Sequence, residues 1–197
     1  MMNKITIIGV GLIGGSLAKA IKANKLANIV CGYGRDQSRL ENAKKGNIID
    51  ELSTDMGDAV KGADIVVIAT PVGAFQQILE EINPLISGQV IITDVGSTKT
   101  NIVKIVNDVL GGKSECFIPA HPIAGKEKSG FEASVSDLFE DKKVIITPIE
   151  GNAPESIKII HEMWSSTGAE VDYMSPESHD ELLGMTSHFP HMLAFSL

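Results

Sequence analysis

Gly9-Val10-Gly11-Leu12-Ile13-Gly14-Gly15-Ser16-Leu17-Ala18 follows directly on the apolar run Ile5-Thr6-Ile7-Ile8. A strand, then Gly-x-Gly-x-x-Gly, then a helical pattern is the opening of a βαβ unit that cradles a pyrophosphate. In that reading Gly9 permits the tight turn, Gly11 lets backbone approach the phosphates, and Gly14 lets helix and strand pack closely. Leu12 and Ile13 open the helix whose N-terminal N–H groups face the anion. Gly15 and Ser16 receive no role. The stretch predicts dinucleotide binding, with a merely structural glycine turn as the alternative.

The same alternation continues along the chain. Strand-length apolar runs lie near Lys4–Gly9, Asn28–Tyr33, Asp64–Ala69, Gln89–Asp94, Cys116–Ala120, Lys143–Thr147 and Ala169–Tyr173, with helix-length amphipathic stretches between most of them. Runs such as Ile65-Val66-Val67-Ile68-Ala69 are continuous rather than alternating, as expected of strands covered on both faces. The fold class is α/β: a Rossmann-type doubly wound, mostly parallel sheet. Residues 1–174 form the dinucleotide-binding domain. Ser175 is placed to cap a last helix with Pro176 in its first turn, and residues 175–197 begin an all-helical domain. That helix runs through His188 and His191, with a kink at Pro190. The chain stops while still apolar, so more protein is expected to follow.

Composition sets limits on partners. Of 197 residues, 43% are hydrophobic and 21% charged, ordinary values for a globular domain and without the long apolar run of a membrane helix. A net charge of −8 argues against nucleic acid or an anionic membrane as partner, since such contacts are built from clustered Lys and Arg. The N-terminus lacks a secretory pattern, which predicts a cytoplasmic protein. Cys31 and Cys116 have no paired spacing and read as buried thiols.

The second strand ends Gly32-Tyr33-Gly34-Arg35-Asp36. An NAD-binding protein usually carries an acid there to accept the ribose hydroxyls, but Gly34 stands in that place. Arg35 can pair with a 2′-phosphate, which favours NADP over NAD; Asp36, on a slightly longer turn, can instead meet a ribose. Ala69, Thr70 and Pro71 end another strand, at the sheet edge where open α/β folds bind ligands, and are expected at the cofactor.

Two further strand ends converge on that edge: Thr93-Asp94-Val95-Gly96-Ser97-Thr98-Lys99 and Pro119-Ala120-His121-Pro122-Ile123-Ala124-Gly125. Oxidation of an alcohol needs a group to take the hydroxyl proton as hydride leaves, and imidazole titrates nearest neutrality. His121 is the candidate base. Ser97 is the candidate to orient it, or else a helix cap beside Thr98.

The glycine loop, Asp94-Val95-Gly96-Ser97-Thr98-Lys99, His121-Pro122-Ile123-Ala124-Gly125-Lys126-Glu127 and Ser187-His188-Phe189-Pro190-His191, in this order, resemble the prephenate and arogenate dehydrogenases of tyrosine biosynthesis. The resemblance spans nearly the whole chain. It implies hydride transfer from the ring carbon bearing the hydroxyl to NAD or NADP, with loss of the ring carboxylate as carbon dioxide. It further implies that His121 meets the substrate hydroxyl with Ser97 as partner, and that Glu127, His188 and His191 lie on the substrate side. Zinc is not expected at the two histidines, so no metal is assigned. Members continue into a helical domain carrying the dimer interface and an Arg that grips the substrate carboxylate; this chain ends before it. Two other readings stand beside this one: a dehydrogenase or reductase of the β-hydroxyacid or imine type, and a non-catalytic dinucleotide sensor. The His121 segment with Ser97 upstream discriminates against the first.

Overall fold

The computed structural model describes residues 2–86, 90–125 and 130–185. In chain order the regular elements are β1 (Met2–Ile8), α1 (Leu12–Ala23), β2 (Ala27–Tyr33), α2 (Gln37–Lys45), β3 (Glu51–Ser53), α3 (Met56–Val60), β4 (Ile65–Ile68), α4 (Phe75–Ile82), β5 (Ile91–Asp94), α5 (Thr100–Leu110), β6 (Phe117–Ile118), β7 (Ala120–Pro122), β8 (Lys143–Ile146), α6 (Pro154–Ser165), β9 (Glu170–Tyr173) and α7 (Pro176–Leu183). The main sheet has six strands in the order β3-β2-β1-β4-β5-β6, every pair parallel. Strand order reverses between β1 and β4, which opens a crevice at their carboxyl ends.

Continuous apolar strands follow from having two cores to serve. Ile5, Ile7, Ile65 and Val67 join one cluster with Leu17 and Ile21 of α1, while Ile8, Val66 and Ile68 join a second with Phe75 and Leu79 of α4 and Ile102 of α5. Successive side chains point to opposite faces, so a strand with a core on each face needs apolar residues at every position.

The structure corrects three readings of the chain. Cys116–Ala120 is not one strand. Pro119 separates β6, which extends the main sheet, from β7, which belongs to a second sheet of order β7-β8-β9. Proline has no N–H to continue a ladder; the Pro119 carbonyl accepts from Thr147 N (3.0 Å), and the next N–H, that of Ala120, goes to the Asp94 carboxylate (3.1 Å). The runs at 143–147 and 169–173 accordingly sit in this second sheet, where β7 is antiparallel to β8 and β8 parallel to β9. β3 escaped the sequence reading, being three residues of mixed polarity on the rim of the sheet. Cys31 is buried as expected, whereas Cys116 is only partly so, at the end of a 3-10 turn.

The second sheet, through Ala120, Val144 and Ile146, and α6, through Met163 and Trp164, share the α1-side core with the first sheet. Gly15 and Ser16 find their purpose here. A Cβ on Gly15 would meet Ser134 at 3.2 Å, and Ser16 Oγ accepts from Val135 N (3.1 Å), so both let the 131–135 segment close over α1. At the far end, α7 begins as its sequence requires, with Pro176 in the first turn and Ser175 Oγ accepting from Ser178 N (3.2 Å). Among the described residues no helix is long and apolar enough to cross a membrane.

Candidate functional site

The crevice at the switch point is a cleft of ≈ 480 Å³, within the usual range for small-molecule sites. Gly9, Gly11, Gly34, Arg35, Asp36, Ala69, Thr70 and Pro71 line it, together with Tyr33, Arg39, Gln77 and Glu81. Gly9 has φ +97°, and a Cβ there would stand 2.7 Å from the Ala69 carbonyl oxygen. A Cβ on Gly14 would collide with the Gly9 carbonyl, and one on Gly11 would meet nothing within 4 Å, because Gly11 faces open space. Leu12, Ile13 and Gly14 do not line the cleft; they form the first turn of α1.

That first turn has no side-chain cap and no acidic residue, whereas α2, α3 and α7 are capped by Asp36, Asp55 and Ser175. Its N–H groups therefore remain as donors for an anion at the helix's positive end. Thr70 Oγ1, buried at the rim of the cleft, has no hydrogen-bond partner among the described residues. The uncapped turn, the side-chain-free cradle and this hydroxyl fit a dinucleotide pyrophosphate.

At the end of β2, Asp36 is engaged in its own helix. Its Oδ1 accepts from Arg39 N (3.1 Å) and Ser38 Oγ (2.8 Å), and these bonds, Ser38's first, hold the carboxyl below its ordinary range. Two guanidinium groups, Arg35 and Arg39, line the cleft here. Arg39 was absent from the sequence reading; its signal is its position four residues after Arg35, on the first turn of α2.

Next along the same sheet edge is β5. Val95 N donates to Ile68 O (3.2 Å), and a Cβ on Gly96 would touch Val72 at 3.4 Å, so the 94–99 turn abuts the 69–72 segment. Inside the turn Asp94 and Lys99, both fully buried, form an ion pair. Lys99 Nζ also donates to Ala120 O (2.7 Å), and Asp94 accepts from Gly96 N (2.7 Å) and Ala120 N (3.1 Å). Burial pushes the Asp94 carboxyl up and the Lys99 ammonium down, and each charge opposes the other's shift. The pair clamps both backbone polar groups of the residue before His121. Ser97 is exposed in this turn, and Lys99, at the N-cap of α5, makes no side-chain cap bond. The cap comes from far away: Asp180 of α7 accepts from Lys99 N (2.7 Å) and Thr100 N (2.8 Å). Neither Ser97 nor Thr98 caps the helix.

His121 lies in β7, opposite Ile145 of β8, and is 9% exposed. It does not line the cleft but stands beyond the 94–99 turn along the same edge. Its Nδ1 is 2.9 Å from Nε2 of His179, which is fully buried, and His179 Nδ1 is 2.8 Å from Asp180 Oδ1. Burial pushes the His179 imidazole down. Burial raises the Asp180 carboxyl, but hydrogen bonds from Thr100, His179 and Lys99 outweigh it and bring it to about 2.

Residues 17–173 match the family described as prephenate dehydrogenase, nucleotide-binding domain. The chain belongs to the prephenate dehydrogenase family. It is 37% identical over its whole length to the cyclohexadienyl dehydrogenase of Zymomonas mobilis subsp. mobilis, spanning 67% of that protein. To the prephenate dehydrogenase of Bacillus subtilis it is also 37% identical over its whole length, but spans about half, 53%, of it. A crystal structure of prephenate dehydrogenase from A. aeolicus in complex with hydroxyphenyl propionate and NAD+ superposes with a TM-score of 0.92 at 36% identity, covering all of this chain and 68% of that one. The prephenate dehydrogenase family match ends at Tyr173, the last residue of β9, and His179 and Asp180 lie beyond it.

Of the residues the sequence singled out, Gly9, Gly11, Gly34, Arg35, Asp36, Ala69, Thr70 and Pro71 line one cleft, Leu12, Ile13 and Gly14 form the turn beside it, Ser97 lies within the turn held by Asp94 and Lys99, and His121 follows the clamped Ala120. Glu127, His188 and His191 lie outside the described residues. Sequence reasoning missed Asp94, Lys99, His179 and Asp180. Asp94 and Lys99 belong to the Asp-Val-Gly-Ser-Thr-Lys motif, which carries no signal of burial, and His179 with Asp180 belongs to an ordinary polar helix.

Proposed function

We propose that this chain is the cofactor-binding and base-bearing part of a prephenate or arogenate dehydrogenase of tyrosine biosynthesis, forming 4-hydroxyphenylpyruvate or tyrosine by oxidative decarboxylation. The observation that carries the reading is a nearly buried His121, clamped through Ala120 beside the sheet edge that bears the nucleotide cleft. Membership of the prephenate dehydrogenase family supports the same chemistry.

The α1 first turn and the glycine cradle would hold the pyrophosphate of NAD or NADP, with Ala69, Thr70 and Pro71 also at the cofactor. Bound NAD(P) supplies the hydride acceptor. His121 takes the proton of the ring hydroxyl as hydride leaves the same carbon. When the ring carboxylate departs as carbon dioxide and the ring becomes aromatic, the imidazolium returns that proton to the oxygen. Ser97 acts as the partner of His121, and Glu127, His188 and His191 complete the substrate side. Arg35 and Arg39 favour NADP over NAD, because guanidinium groups pair with a 2′-phosphate and no acid stands at position 34. Residues 1–174 make the dinucleotide domain, and a helical domain opening at 175 carries the homodimer interface of a cytoplasmic enzyme.

Steady-state assays of the full-length protein with prephenate or arogenate and NAD or NADP, beside His121→Asn, test this. One cofactor and substrate pair is expected to turn over, and His121→Asn to bind cofactor normally while losing about two to four orders of magnitude in kcat. A variant as fast as the wild type, or a wild type inert towards both substrates, would sink the reading.

A further inference from the structure

Behind His121 lies a hydrogen-bonded line of three side chains, Asp180–His179–His121, whose members come from β7 and α7. Its polarity can be worked out from one end. The Asp180 carboxylate is an acceptor only, and it is fixed by the Lys99 and Thr100 N–H groups as well as by His179. His179 Nδ1 must therefore carry the proton it presents to Oδ1. A neutral His179 then has its lone pair on Nε2, the atom 2.9 Å from His121 Nδ1. His121 Nδ1 must in turn be the protonated nitrogen, and the lone pair of the His121 ring rests on Nε2.

We propose that His179, oriented by Asp180, is a positioning residue that fixes His121 as the Nδ1–H tautomer and so makes Nε2 the atom that takes the substrate proton. This rests on His121 being the base of the proposed reaction. A neutral histidine left to water prefers the opposite tautomer, with the proton on Nε2, where it cannot accept one. Full burial of His179 works in the same direction. A protonated His179 would donate from both nitrogens, and His121 Nδ1 would then have to accept, which puts the remaining proton on Nε2. The arrangement has the logic of a carboxylate that holds a catalytic imidazole in one tautomer, with a second imidazole interposed.

The test is made on the full-length protein with 15N-labelled histidine. His121 is expected to show a protonated Nδ1 and a bare Nε2; a spectrum with the proton on Nε2 overturns the proposal without any variant. His179→Phe keeps a ring but no acceptor, and is expected to lose about a hundredfold in kcat with cofactor KM within about twofold, while the His121 signals move toward the Nε2–H form. His179→Gln, whose amide oxygen can accept from His121 Nδ1, is expected to recover turnover to within about tenfold of the wild type. A folded His179→Phe enzyme with wild-type turnover and unchanged His121 signals overturns the assignment. Failure of the base reading is recognised separately, since full activity of His121→Asn removes the base while the wild-type 15N spectrum still decides the tautomer.

Discussion

Gly34 stands where a carboxylate would accept two ribose hydroxyls, and the structure shows that a side chain is tolerated there. A Cβ would meet only Leu40, at 3.6 Å, and the backbone is not in the left-handed region. Gly34→Asp is therefore expected to fold normally and to move preference from NADP toward NAD by about tenfold or more, the worth of gaining one charge-assisted hydrogen bond and repelling a phosphate. The ratio of kcat/KM for the two cofactors reads this directly, and an unchanged ratio would mean that Arg35 and Arg39 do not face the 2′ position. Gly9 and Gly14 offer no such freedom, since carbonyl oxygens occupy the space a side chain needs. These glycines were legible in the sequence because their constraint is local: each answers to a neighbour within one turn or one adjacent strand. Arg39 was less so, because its place in the cleft depends on where α2 starts.

Between elements, the decisive contacts join residues far apart in the chain. β5 is tied to β7 by Asp94 and Lys99 through Ala120, and α5 is capped from α7 by Asp180. Asp94→Asn is expected to cost about 3–5 kcal/mol, because it leaves a buried ammonium without its counter-charge. Urea unfolding measures this, and a loss below about 1 kcal/mol would show that Lys99 is neutral or hydrated in the folded protein. Periodicity placed most strands to within a few residues and put helices between them, and Ser175 with Pro176 announced α7 through capping chemistry alone. The break at Pro119 was not foreseen, although proline is a local signal, because which sheet each half joins depends on β8 and on Asp94. The cap of α5 was illegible for the same reason: its acceptor is not Ser97 but Asp180, 81 residues from Lys99.

The whole protein's stability should carry the imprint of the His179 line. Burial holds the His179 imidazole below its usual 6.5, so as pH falls through that value the unfolded chain takes up a proton that the folded chain refuses. Stability is therefore complete above about pH 6.5 and declines below it. A second decline follows at lower pH, where Asp180 is involved: with its carboxyl at about 2 in the folded state against 3.8 ordinarily, its contribution is present above 3.8 and is lost as pH falls toward 2. Melting temperatures from pH 8 to 5 should slope downward in the wild type and more gently in His179→Gln; parallel curves would contradict a buried neutral His179.

Every residue lining the cleft lies between Ile8 and Glu81, whereas the line behind His121 closes only with Asp180. Domains begin to form as the chain emerges from the ribosome, N-terminal parts first, and contacts between distant residues form late. A nascent chain thus carries all its cleft residues when less than half of it has been made, and acquires an oriented base about a hundred residues later.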